Sequence, residues 1–180
     1  MTTRPARPIG LAFTLAFVAI TTGCLSASPI QTTAAPSPEF RPELFFAGAT
    51  HGDGTLSQRG KAARRLTVEG HGVTEADGSF RLDQGVTYAD GSKEKRTWHL
   101  KRTGAHTYSA TLSDASGNVS GETVGNEFRL RYLVRQPAVY MNQRIFLQPD
   151  GRTALNVATV TVLGIPWVRL SETITRVGSE

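Results

Sequence analysis

The chain has 180 residues, 20 Lys and Arg against 15 Asp and Glu, a net charge of +5, and one cysteine. That length suits one domain with a real core, and a lone thiol excludes an internal disulfide framework. The cations are spread in short runs ("KAARR", "KEKR", "RLRYLVR") without interleaved stacking aromatics, so nucleic acid is not an expected partner. The runs read as the solvated outer face of a sheet, with weak attraction to anionic lipid as the alternative.

Arg4 and Arg7, an apolar run from Ile9 to Ile20 and then small residues have the three-part layout of an export signal. Crossing a bilayer takes roughly twenty apolar residues, so this run is too short for a retained anchor. Thr21-Thr22-Gly23-Cys24 resembles the lipobox of bacterial lipoproteins, with Gly23 in place and Thr21 where Leu is usual. The resemblance implies lipid attachment at Cys24. Leu25, rather than Asp, implies an outer-membrane lipoprotein facing the periplasm. An ordinary signal peptide is the competing reading. Residues 1–23 are therefore read as a lipoprotein signal peptide. Residues 24–43, rich in Ser, Thr, Ala and Pro, are read as a flexible tether.

Residues 44–178 predict a single all-β domain. In "SFRLDQGVTYADG" Phe80, Leu82, Val86 and Tyr88 fall on one face, with Arg81, Asp83 and Thr87 on the other. "EFRLRYLVR" opposes Phe128, Leu130, Tyr132 and Val134 to Arg129, Arg131 and Arg135. Period two with one apolar face is the pattern of an antiparallel sheet over a core. Gly78, Gly91, Gly104 and Gly117 recur at steps of thirteen, as do Gly151 and Gly164, which fits one strand plus one turn per step. The economical architecture is an up-and-down β-barrel of roughly 8–10 strands, because closure removes exposed edges. A flat sandwich is the alternative.

The segments "ELFFAGATHGDGTL", "LDQGVTYADGSKEKRTWHL", "VSGETVGNEFRLRYLV" and "IFLQPDGRTALNVATVTVLGIPWVRLSETI" occur in the order of a bacterial lipoprotein family, domain of unknown function 3833. The chain resembles a divergent member, with Val162-Leu163-Gly164 where Lys-Phe-Gly is usual. The resemblance implies a lipocalin-like, or calycin, barrel on a lipid anchor. It implies no reaction and points loosely to membrane lipid.

Catalytic signatures are sparse. His51, His71, His99 and His106 are scattered without metal-ligand spacing, so no metal or cofactor is expected. "GNVSG" lacks nucleophile-elbow spacing. "HGDG" at His51 to Gly54 reads as glycines that let the first strand bend. Asp83 and Glu127 are acids near aromatics that nothing singles out as catalytic. The inward aromatics Phe80, Tyr88, Trp98, Phe128 and Tyr132 are either plain core or the lining of a ligand site, with Trp98, Tyr88 and Tyr132 the first choices because their polar atoms need partners. Three functions stay open: a membrane-anchored barrel holding a fatty acid or lipid, a structural lipoprotein engaging an envelope protein, and a lipid-modifying enzyme. The last would need a polar cluster inside the cavity.

Overall fold

The computed structural model describes residues 32–178. Ten strands follow one another in chain order: β1 (Gly48–Gln58), β2 (Arg64–Thr74), β3 (Phe80–Tyr88), β4 (Lys93–Arg102), β5 (Thr107–Leu112), β6 (Val119–Val124), β7 (Glu127–Arg135), β8 (Val139–Leu147), β9 (Thr153–Val162) and β10 (Ile165–Arg176). Each pairs antiparallel with its neighbour in sequence, and β1 pairs with β10 from Thr50↔Arg176 to Gln58↔Val168, which closes the barrel. The expected up-and-down barrel is therefore present, and every glycine of the thirteen-residue pattern lies in a turn between strands.

The alternation of the sequence is the alternation of the wall. Leu82, Trp98, Leu100, Leu130 and Ile145 are buried inside, while Arg65, Glu69, Arg129 and Arg131 are exposed outside. This polarity is opposite to that of a membrane-spanning barrel, whose outer band is apolar. Among the described residues no helix is long and apolar enough to cross a membrane.

Up-and-down pairing puts successive turns at alternate ends. One end is plugged. Its stopper is the segment leading into a single short helix, α1 (Pro42–Phe45), together with Phe46. Phe40 is 0 % exposed and stacks on Phe128 with ring centroids 5.8 Å apart, and Phe45 and Phe46 meet edge to face at 5.0 Å. The tether assigned to residues 24–43 therefore ends earlier than expected, because its last part is folded. Phe40 N–H donates to Gly125 O (2.8 Å), and Ala35 exchanges hydrogen bonds with Asn126, donating to Oδ1 and accepting from the backbone N–H. Gly125 is in the left-handed region (φ 56°), and a methyl group there would overlap the Ala35 carbonyl. Tyr108 Oη donates to Glu43 Oε2 (3.1 Å), which ties α1 to β5.

The opposite end is open. Its tightest turn, Leu163-Gly164 between β9 and β10, has positive φ at both residues (50° and 80°), the geometry of a two-residue hairpin that favours Asn or Gly at the first position. A leucine there costs about 1–2 kcal/mol of backbone strain.

Candidate functional site: a cavity between plug and mouth

The barrel encloses a cavity of about 120 Å³, reaching from Pro42 and Phe46 at the plug to Leu56 and Tyr88 near the mouth. A single water needs only roughly 10–15 Å³ on this measure, so the space suits a slender ligand or a segment of one. Its walls are mainly aliphatic and aromatic, with Leu66, Val68, Val86 and Met141 among them.

The polar exceptions define the site. Glu172 is buried and lines the cavity. It sits directly across the β9–β10 ladder from Asn156, whose Nδ2 donates to Glu172 Oε2 at 2.8 Å. Asn156 Oδ1 is also buried and has no hydrogen-bond partner among the described residues. Burial is the main influence on the Glu172 carboxyl and pushes its pKa up, against smaller lowering effects from Asn156 and Arg96. A proton is thereby easier to keep on Glu172 than on a free carboxyl, and the pair offers both a donor and an acceptor to anything bound beside it.

The neighbouring strand makes room for this carboxyl. Thr50, Gly52, Gly54 and Leu56 are the inward positions of β1, and a methyl group at Gly52 would overlap Glu172 Oε1. The "HGDG" glycines, Gly52 and Gly54, form the floor beneath Glu172, a role beyond the strand bending expected of them.

Of the aromatics singled out from sequence, Phe80, Tyr88, Trp98 and Phe128 line the cavity. Tyr132 stands behind Trp98, packed edge to face at 5.7 Å, and burial raises its hydroxyl pKa to about 12. The polar atoms of Trp98 and Tyr88, expected to seek a ligand, are already engaged. Trp98 Nε1 donates to Gln84 Oε1 (3.0 Å), and Tyr88 Oη donates to Glu94 Oε2 (3.0 Å). Arg64 lies over the Tyr88 ring at 4.2 Å and is held by Asp90 (2.8 Å). Arg96 reaches into the mouth, where Asp114 Oδ2 stands 3.8 Å from its Nε.

The other titratable groups weighed from sequence lie off the cavity wall. Asp83 is on the outer face, accepting from Thr97 Oγ1 (2.8 Å). Glu127 is fully buried beneath Arg129 and Arg144 on the barrel's outside; burial raises its pKa, but the two guanidinium partners outweigh that and lower it. His51 is held between Glu69 (2.6 Å) and Asp53 (3.2 Å) on the outer surface, and the hydrogen bond it donates to the Glu69 carboxylate leads in raising its pKa. Among the described residues no group of His, Cys, Asp and Glu is arranged to hold a metal ion. Cys24 lies outside the described residues.

Sequence reasoning missed Gln84, Asn156 and Glu172. The signal was available, since each continues an inward register (Leu82-x-Gln84-x-Val86; Ala154-x-Asn156-x-Ala158; Leu170-x-Glu172-x-Ile174).

Comparison with known proteins bears on the fold and the family. No curated protein matches the chain. A solved S-type phycobiliprotein lyase, CPES from Guillardia theta, superposes with a TM-score of 0.61 over 77 % of this chain and 93 % of its own at 11 % identity. A redesigned β-barrel, mFAP1, bound to DFHBI, gives 0.41 at 12 % identity over 76 % of this chain and 100 % of its own. The lyase likeness shows a shared lipocalin-like barrel. A family described as "Protein of unknown function (DUF3833)" matches residues 18–176, so the chain belongs to the DUF3833 family.

Proposed function

We propose that this protein is a lipid-anchored envelope protein whose barrel binds or carries a small hydrophobic ligand, a fatty acid or another lipid segment, with Cys24 as the anchor point. The observation that carries the reading is an apolar cavity, closed at one end by an aromatic plug, that holds a buried carboxyl with an unsatisfied amide oxygen beside it. A barrel filled only for stability has no use for such a pair, because a buried polar group without a partner costs free energy. Glu172 and Asn156 would fix one polar group of the ligand while Phe80, Trp98 and Phe128 hold its apolar part. The lyase with the same fold, named for its action on phycobiliprotein, supports the reading only as an example of what such barrels do.

Native mass spectrometry of gently purified protein tests it. The expected result is an added mass that is extractable into organic solvent. Ala158 is buried and lines the cavity, so Ala158→Phe should fill the space and reduce ligand occupancy at least tenfold. A wild-type barrel that is empty and takes up no fatty acid when offered one would overturn the proposal.

A further inference from the structure

The mouth carries a second feature that ligand binding does not use. Three large apolar side chains project from one hairpin there: Leu163, Ile165 and Trp167, exposed to 72, 51 and 42 %. Two details of the backbone present them. Leu163 holds a left-handed φ of 50° in a position better suited to Asn or Gly, which folding alone gives no reason to keep. The pairing of β10 with β9 skips between Pro166 and Val168, and the resulting irregularity leaves Trp167 outside the ladder. The Trp167 carbonyl accepts the Arg59 N–H (2.9 Å), with the Arg59 guanidinium 5.9 Å from the indole centroid, so the hairpin is braced against the adjoining β1–β2 loop.

Charge around the same end is one-sided. Arg59, Lys61, Arg65, Lys93, Lys95 and Arg135 lie in or beside the mouth loops and are exposed, and none forms an ion pair among the described residues. The acids of this rim are already engaged: Asp90 by Arg64, Glu94 and Asp114 by Arg96. At the plugged end, by contrast, acids balance the cations: Arg41 pairs with Glu43, Arg129 and Arg144 with Glu127, and Lys101, Arg102 and Arg152, without ion pairs among the described residues, share that end with Asp77, Glu122 and Asp150.

We propose that the mouth of the barrel docks on an anionic lipid bilayer, with Leu163, Ile165 and Trp167 entering the interface and the unpaired cations meeting the headgroup phosphates. A narrow apolar tip inside a cationic ring is the chemistry of reversible membrane-surface binding: the aromatic settles at headgroup level and the cations are drawn to anionic lipid. A protein partner would call for a broader, packed apolar patch with polar groups fitted to it. Docked this way, the cavity opens onto lipid. The inference deepens the ligand reading but does not require it, because surface binding is measured without any cavity ligand.

The test uses residues 32–180, which contain all ten strands and the plug, with a cooperative thermal melt as the check that they are folded. Co-sedimentation with vesicles of phosphatidylglycerol and phosphatidylcholine should capture the protein, and vesicles of phosphatidylcholine alone should capture at least tenfold less. High salt should weaken capture. Trp98 is buried, so a blue shift of tryptophan emission on vesicle addition reports Trp167. Leu163→Asn suits the turn and should raise the melting temperature while lowering vesicle affinity, and combining it with Trp167→Ser should lower affinity tenfold or more. Anionic vesicles left unbound, whether the rim pairs with a second copy or stays monomeric, would overturn the proposal, as would equal capture by both vesicle types or variants that bind like the wild type. An empty cavity accompanied by normal vesicle binding would count against ligand carriage alone.

Discussion

At the scale of single residues, Glu172 and Glu127 should give the barrel two opposite responses to pH. Burial raises the Glu172 pKa above its ordinary value of 4.5, so the folded state holds a proton that the unfolded chain has released. Its contribution is fully present below that ordinary value and is lost as pH rises through the folded pKa. The Glu127 pKa is lowered, so its contribution is present above 4.5 and is lost as pH falls through its folded value. Thermal melting as a function of pH should therefore show stability falling on both sides, and Glu172→Gln should flatten only the high-pH side. An unchanged profile in the variant would mean that Glu172 is not held neutral by burial. Neither role was legible in advance. Glu127 was noticed because aromatics flank it, yet arginines on β7 and β8 decide its state. Glu172 was overlooked because a charged residue in an inward register reads like a break in the pattern.

At the scale of elements, the strands were the legible part. Alternation in β3 and β7 named the inward residues correctly, because each side chain's face is set by the strand's own period. The plug was not legible, because composition averaged it away. Phe40 stands among Ser, Pro and Glu, and a four-residue helix carries no helical period to detect. The physics of the plug is nevertheless simple. A buried phenylalanine contributes roughly 1.5–3 kcal/mol by removal from water, and truncating one in a packed core costs about 3–5 kcal/mol. Phe40→Ala should accordingly lower stability by about 3 kcal/mol in urea unfolding. A chain begun at residue 44, the boundary that composition suggested, should be less stable still, because it also loses the Phe40–Gly125 hydrogen bond and the start of α1. Equal stability of the chains begun at 32 and at 44 would show the plug to be ornamental.

At the scale of the whole molecule, closure was foreseeable from the number of strands, but the difference between the two ends was not. It arises because turns far apart in sequence gather at each end once β1 meets β10, which brings "GKAA", "KEK" and "LGIPW" onto one rim. Read singly, the basic runs were assigned to a solvated face, with weak attraction to anionic lipid as the alternative, and "LGIPW" was given no role. The localisation proposal also belongs to this scale. Replacing Cys24 by Ser should move the protein from the membrane fraction to the soluble fraction of cells at the salt concentration that releases rim binding. Retention in membranes under those conditions would rule out Cys24 as the anchor.

The plug gathers the N-terminal segment at the end of the barrel farthest from the mouth, and this sets the mechanics of an anchored molecule. Drawn out to its limit, the stretch from Cys24 to Ala35 reaches roughly 35–40 Å. A tilted strand of about ten residues makes the barrel only about 25 Å tall. A lipid at Cys24 would then act as a leash longer than the body it holds. The barrel could stand upright with its mouth toward the opposite face of the compartment, or roll over and press the mouth to the leaflet that tethers it. Leash length, more than any pocket residue, would decide which membranes one molecule can visit.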